Sequence, residues 1–133
     1  MAAVEIPSAS SAAMLRFSDF DGSYFTAALT SPNLSAEVRV YVVPVEGVND
    51  VAALVRLFKT MSEKWRGWEG ELVWGSLEGE FDIVVTSDRL GHINLRLGFR
   101  EYAGPAPWSA KMDFALEPIQ IAEAHKKLSR FFS

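Results

Sequence analysis

The chain contains no cysteine among its 133 residues. A fold stapled by disulfides, a zinc site built from thiolates and a cysteine nucleophile are therefore all excluded. Histidine, the usual general acid or base near neutral pH, is also scarce, since only two are present. The sequence thus offers little of what acid–base or nucleophilic catalysis requires.

Long apolar runs and long runs of like charge are missing too. No uncharged apolar segment approaches the ~20 residues that a membrane-spanning helix needs, and the first residues, MAAVEIP, lack the basic start of a secretion signal. The longest basic run is Lys126-Lys127, and 13 Lys+Arg against 17 Asp+Glu give a net charge of -4. We therefore expect a cytoplasmic protein that binds neither membranes nor nucleic acid.

Motifs that carry well-defined chemistry are also absent. There is no Gly-rich phosphate loop, no nucleophile elbow and no metal-binding helix signature. Segment 19–23, DFDGS, is too short and wrongly spaced for a calcium loop. The acidic residues at 78, 80 and 82 alternate as on an exposed strand. We predict neither a cofactor nor a metal site, and an enzyme is the less favoured class.

The composition is that of an ordinary folded protein, with 49% hydrophobic and 23% charged residues. A chain of this length can bury one core without metal or disulfide staples. Segment 1–13 is rich in Ala and Ser and has no periodicity, so a loose tail or a short edge contribution is predicted there. Residues 14–133 are predicted to form a single domain.

Three alternating runs between residues 71 and 116 predict an antiparallel meander. In the clearest run, residues 92–100, apolar and polar side chains alternate, so one face is predicted to be buried and the other polar. Turn signals such as Glu78-Gly79 set a register for the strands. That register pairs Leu72 with Val85, Trp74 with Ile83, Ile83 with Leu95, Leu95 with Met112, and Phe99 with Trp108. Trp74 and Trp108 are thereby predicted to face the core.

The rest of the chain shows strand and helix patterns in alternation. Strands are predicted near 14–18, 24–30 and 34–43. One helix is predicted from Asn49-Asp50 to Gly67, with an apolar stripe that runs from Val51 to Trp65, and a second begins at Glu117-Pro118 and ends in Phe131-Phe132.

The element order βββαββββα predicts an α+β fold. Its largely antiparallel sheet has about seven strands and is curved or a half-barrel. Both amphipathic helices are predicted to pack on the apolar face of that sheet, since each needs a hydrophobic surface to cover.

The polar face of the meander carries charges that are predicted to pair across strands. The register places Asp82 opposite Arg96, Arg96 opposite Lys111, and Asn94 opposite Asp113. Such a lattice is typical of a solvated sheet face, and it also suits recognition of a polar partner. Asp82, Asn94 and Arg96 are therefore candidate partner or ligand contacts.

The segment WRGWEG, residues 65–70, has the most unusual local composition. Trp65 is predicted to belong to the core stripe of the helix. Trp68 lies between two glycines, where an aromatic residue either anchors its loop or contacts a partner. Arg66 can stack on either ring. Arg66 and Trp68 are thus further candidate contacts.

His92 opens a strand directly after Gly91 and close to Asp88. A histidine–carboxylate pair at a strand end can transfer protons. The same residues can instead cap the end of a hairpin by hydrogen bonds. Because no nucleophile or metal spacing accompanies His92, the capping role is favoured, and His92 remains a candidate contact.

Several local patterns together resemble a family of small bacterial proteins of unknown function. They are the Trp-rich helix end at 65–71, GHINL at 91–95, the lone Trp108, LEPIQ at 116–120 and the final Phe131-Phe132. The resemblance extends from about residue 51 to the C-terminus. It implies a bacterial, intracellular, stand-alone domain and brings no activity with it.

Besides a purely structural homodimer formed through sheet edges, two hypotheses of function follow. The first is a non-catalytic interaction domain that binds a protein partner or a second copy of itself. Toxin-neutralising immunity proteins are small, acidic domains of this kind. The alternative is a small-ligand carrier or enzyme with a pocket between sheet and helices, and with Asp88, His92 and Arg96 at its mouth.

Overall fold

The computed structural model describes residues 3–42, 50–88 and 90–133. The predicted strand end at Pro44 and the Asn49 part of the predicted cap lie outside these residues. In chain order the elements are β1 (Ala3–Pro7), β2 (Met14–Ser18), β3 (Tyr24–Thr30), β4 (Ser35–Tyr41), α1 (Val51–Glu63), β5 (Leu72–Gly75), β6 (Phe81–Ser87), β7 (Ile93–Glu101), β8 (Trp108–Leu116) and α2 (Pro118–Phe131).

The strands form two antiparallel sheets, β1-β2-β3-β4 and β5-β6-β7-β8. The α+β class, the antiparallel pairing and the two helices are confirmed. The prediction of about seven strands in one sheet is right only roughly, because the described strands number eight and divide at α1. Alternation along a strand reveals its buried side but not its neighbour across a helical connection.

Strand β1 lies in the segment for which a loose tail or a short edge contribution is predicted. It pairs with β2 at the edge of the first sheet. Val4 and Ile6 are only 1% and 2% exposed. Their alternation is too short to reveal a strand by itself, so pairing with β2 is what orders it.

One hydrophobic core joins both sheets and both helices. Phe17 of β2 contacts Phe81 of β6 across the two sheets, with ring centroids 5.9 Å apart. Phe132, at the end of α2, packs edge-on against Phe25 at 5.2 Å. The helices bury one stripe each, as predicted. The buried helical residues are Leu54, Leu57, Phe58 and Met61 in α1 and Ile121, Ala124, Leu128 and Phe131 in α2.

Both helices begin at residues that cap them. The Asp50 side chain accepts a hydrogen bond from the Ala53 N–H at 2.8 Å. In α2, Glu117 and Gln120 form a capping box, with Pro118 in the first helical turn. Helix α1, however, ends at Glu63, short of the predicted stripe.

The register of the second sheet is partly as predicted. Leu72 pairs with Val85 and Trp74 with Ile83. The β6–β7 and β7–β8 pairings are each shifted by two residues, so that Ile83 faces Leu97. Because a shift of two keeps every side chain on its face, the buried faces are right and the cross-strand partners are wrong.

The shift arises in the connections between the strands. The Asp88 N–H donates to the His92 carbonyl at 3.2 Å, so β6 and β7 pair one residue further into the predicted loop. Strand β7 likewise continues to Glu101, which pairs with Trp108. Trp108 therefore lies at the strand end and is 39% exposed, so its prediction as a core residue is wrong.

No helix in the described part of the chain is long and apolar enough to cross a membrane.

Candidate interaction site

An open depression of about 480 Å³ lies where the end of α1, the β6–β7 loop and the start of α2 meet. We call it the α1–α2 depression. Its lining residues are Trp65, Arg66, Leu90, Gly91, Glu117 and Pro118.

Two large apolar side chains of this depression are exposed to solvent. Trp65 is 53% exposed and Leu90 is 81% exposed. The guanidinium of Arg66 lies 4.8 Å from the centroid of the Trp65 ring, in cation–π geometry. The depression thus combines an exposed apolar centre with a stacked cation.

Local backbone geometry explains why Trp65 leaves the core. Helix α1 ends two residues earlier, and Gly67 has a φ of +104°, a left-handed conformation that suits glycine. The chain therefore turns before Trp65 can join the buried stripe. Its prediction as a core residue is wrong, while the left-handed role of Gly67 is confirmed.

Asp88 organises the loop that carries Leu90. Its Oδ1 accepts hydrogen bonds from the Leu90 N–H at 2.8 Å and the His92 N–H at 3.1 Å. Its Oδ2 lies 2.6 Å from Nδ1 of His92. The predicted pairing of His92 with the loop carboxylate is thus present, in the arrangement that caps a hairpin end.

The Asp88–His92 contact shifts the pKa values of both groups. The hydrogen bond to Asp88 raises the pKa of His92 above its ordinary 6.5. The Leu90 N–H is the main cause of the lowered pKa of Asp88, below its ordinary 3.8. Both side chains are largely solvent-accessible, at 68% for His92 and 44% for Asp88. Water screens the pair, so its contribution to stability is small.

His92 borders a second open hollow, of about 330 Å³, next to the depression. Its lining residues are Thr86, Ser87, Asp88, His92, Ile93, Asn94 and Ala115. Asp88 and His92 both line this hollow, as the enzyme hypothesis expects, but Arg96 is not among its lining residues. Within residues 3–42, 50–88 and 90–133, no group of three or more His, Asp or Glu side chains is placed to hold a metal ion.

Arg96 and Asn94 converge on one carboxylate of the outer sheet face. The Arg96 Nε and the Asn94 Nδ2 each lie 3.4 Å from Oδ1 of Asp113. Arg96 faces Asp113 in the register, not Asp82 or Lys111 as predicted. These side chains are exposed, so the group has the character of a solvated ion-pair face.

Asp82 lies apart from both hollows and pairs with Arg100. In the register it faces Gly98 on β7 and Gly75 on β5 rather than Arg96. The Asp82 carboxylate and the Arg100 guanidinium together occupy the space that Gly98 leaves open. The predicted charge lattice is therefore present with different partners.

Trp68 is only 9% exposed and packs in the core. Its Nε1 is buried and has no hydrogen-bond partner in the described part of the chain. This position favours the loop-anchor role over partner contact. Of the two candidates in WRGWEG, only Arg66 reaches the depression.

Sequence reasoning missed Trp65 and Leu90 as surface residues. Leu90 carries a recognisable signal, since it is a lone large apolar residue in the loop segment SDRLG. For Trp65 no local signal reveals the early end of the helix, because a left-handed glycine two residues later is also compatible with Trp65 in the last helical turn.

These observations define a class: an α+β domain of two four-stranded antiparallel sheets and two helices around one core, with an open depression between its loops and helix ends. The chain belongs to the family of unknown function DUF6228, whose model matches residues 6–133. The resemblance to an uncharacterised family is confirmed, and the match also includes the first strands, which the sequence motifs did not cover. No curated protein and no solved structure matches the chain.

Proposed function

We propose that this protein is a non-catalytic interaction domain that binds a protein partner through the α1–α2 depression. The observation that carries the proposal is the pair of exposed side chains, Trp65 and Leu90, in one depression with Arg66 stacked on the indole. Trp and Arg dominate the residues on which protein–protein affinity depends. An apolar centre inside a polar rim is the usual anatomy of such an interface.

The energetics favour a partner surface over a solvent-exposed role. Full burial of a large apolar side chain stabilises a complex by roughly 1.5–3 kcal/mol. Two such side chains supply the centre of a small interface, and the Glu117 carboxylate, Arg66 and the Asp88–His92 pair supply its rim. Rim charges of both signs contribute to orientation more than to affinity.

Within the interaction class, we propose a toxin-neutralising, immunity-type role. Small size and a net charge of -4 support it by analogy, because an acidic domain attracts a basic partner. A toxin-like gene beside this one is the expected finding in the source genome. A neighbourhood without any such gene across several genomes that encode the family speaks against the role.

The binding proposal is tested with the product of the neighbouring gene as the partner. In calorimetric titrations, W65A and L90A are each expected to weaken binding about tenfold or more, since tenfold corresponds to ~1.4 kcal/mol. L77A is the matched control, because Leu77 is 56% exposed and lies outside the depression. Unchanged affinity in both W65A and L90A, with L77A also unchanged, contradicts the site.

A second candidate is small-ligand binding or proton transfer at the hollow beside His92. It is favoured by the 2.6 Å contact between the His92 Nδ1 and Asp88, next to Asn94. H92A is expected to keep partner affinity nearly intact in the same titration. If the hollow binds a small ligand or catalyses a reaction, H92A is expected to abolish that ligand binding or that activity.

A further inference from the structure

Strand β8 has an open outer edge along its first half. It pairs with β7 on one side through all nine residues. On the other side, within the described residues, one backbone hydrogen bond reaches it from outside that ladder: the Ala9 N–H donates to the Ala115 carbonyl at 2.8 Å. Successive residues of a strand direct their backbone groups to opposite neighbours. Because the backbone groups of Ala115 point to the open edge, those of Ser109, Lys111 and Asp113 point there as well.

The core-facing side chains of the same half-strand are apolar and are only partly covered by the core. Trp108 is 39% exposed, and Ala110 and Met112 are half-buried. Further along the strand, Phe114 and Leu116 are both 1% exposed. The open edge and the uncovered apolar strip therefore coincide at residues 108–112.

We propose that the β8 edge of a second copy of this chain docks here, antiparallel, with the two-fold axis at Ala110. Ser109 then faces Lys111 of the second copy, and Lys111 faces its Ser109, which joins the copies by four backbone hydrogen bonds. On the core-facing side, Trp108 packs on Met112 of the second copy. By symmetry, Met112 packs on Trp108 of the second copy. The two β5–β8 sheets become one sheet of eight strands. The proposal does not depend on the α1–α2 depression.

Other positions of the axis are disfavoured by particular residues. The two-fold axis must pass beside a residue that faces the same residue of the second copy. Only then do the core-facing side chains of both β8 strands lie on the same side of the joined sheet. An axis at Lys111 places two like charges directly opposite each other, which is destabilising. An axis at Met112 brings Ser109 against Ala115, where Ala9 already sits. An axis at Ser109 leaves only one fully hydrogen-bonded residue pair, because Lys111 then faces Pro107, which has no N–H and lies before the strand.

The absence of native cysteine permits a direct test by single cysteine substitution. Directly opposed residues that do not share hydrogen bonds have Cα atoms about 4.5 Å apart, which suits a disulfide. Only A110C places two cysteines opposite each other in this register. M112C and K111C are the matched controls. A cysteine at 112 faces its own copy only if the axis lies at Met112, and a cysteine at 111 only if the axis lies at Lys111. All three are compared under mild oxidation, alongside the mass of the unmodified protein in solution.

The expected result is a mass that rises from 14.7 kDa towards twice that value with concentration, and a disulfide dimer that forms fastest in A110C. K111P is expected to return the protein to 14.7 kDa, since it removes an outward N–H and leaves the β7 ladder intact. A mass of 14.7 kDa at every concentration overturns the proposal. So does faster cross-linking of K111C or M112C. Dimerisation of a folded K111P variant also overturns the proposal.

Discussion

At the scale of single residues, the carboxylate of Asp88 is the clearest example of one side chain that determines local geometry. It receives two backbone N–H groups and the His92 ring. The raised pKa of His92 means that its contribution is fully present below pH 6.5 and is lost as the pH rises through the raised value. The lowered pKa of Asp88 means that its contribution is present above pH 3.8 and is lost as the pH falls through the lowered value. Both groups are therefore charged between the lowered pKa of Asp88 and the raised pKa of His92, a range that includes pH 3.8 to 6.5.

The variant D88N is expected to lower the pKa of His92 towards 6.5, because an amide cannot stabilise the imidazolium as a carboxylate does. An NMR titration of the His92 ring protons measures this pKa. D21N is the matched control, since it removes another exposed, backbone-bonded carboxylate far along the sequence. If the pKa of His92 is the same in D88N as in the unmodified protein, the assigned cause of the shift is wrong.

At the scale of elements, three neighbouring strands cooperate to hold one half-buried ion pair. Asp82 of β6 lies between Gly75 of β5 and Gly98 of β7. Arg100 crosses over Gly98 to reach the Asp82 carboxylate. Gly98 thus leaves the space in which Arg100 of its own strand meets Asp82 of β6.

The variant G98A is expected to lower the free energy of unfolding by up to about 1 kcal/mol, because its methyl group pushes the Asp82 carboxylate away from Arg100 and weakens this partly exposed ion pair. Its methyl group would overlap Oδ1 of Asp82 and lie 2.9 Å from Nη2 of Arg100. G75A is the control on the opposite strand, where the methyl group meets the Asp82 Cβ at an ordinary 3.7 Å. Urea unfolding measures both variants, and equal losses in G98A and G75A would count against this account.

Several element-level features could be predicted from the sequence, and others could not. The ends of α2 follow from Glu117-Pro118 and the final aromatic pair, because caps and apolar stripes are local. The ion-pair partners of Arg96 and Asp82 do not follow from the local sequence, since they depend on where each hairpin loop closes. A loop that begins one residue later changes every cross-strand partner by two while leaving the apolar pattern unchanged.

At the scale of the whole molecule, the two sheets are linked by a polar contact as well as by the shared core. The Glu80 carboxylate accepts the Tyr41 N–H of β4 at 3.0 Å and contacts the hydroxyl of Ser76. Ser76 in turn accepts the Phe81 N–H at 3.1 Å. The β5–β6 hairpin of the second sheet is thereby tied to the edge of the first.

The variant E80A is expected to lower the free energy of unfolding by about 1–3 kcal/mol, because it leaves the Tyr41 N–H and the Ser76 hydroxyl without their partner. E80Q keeps an acceptor at the same place and is expected to lose less. Denaturant unfolding followed by tryptophan fluorescence and by circular dichroism gives the values, with coincident transitions expected from the shared core. A loss in E80Q as large as that in E80A contradicts the hydrogen-bond explanation.

The α+β class, the two amphipathic helices, most strand positions and the buried faces of the meander strands can be predicted from the residues alone. These properties follow from periodicity, capping and turn residues, which act over a few neighbouring positions. The division into two sheets, the cross-strand partners and the exposure of Trp65, Leu90 and Trp108 depend on the tertiary fold. The physical reason is that exposure and pairing depend on what else occupies the neighbouring space, and no local pattern records it.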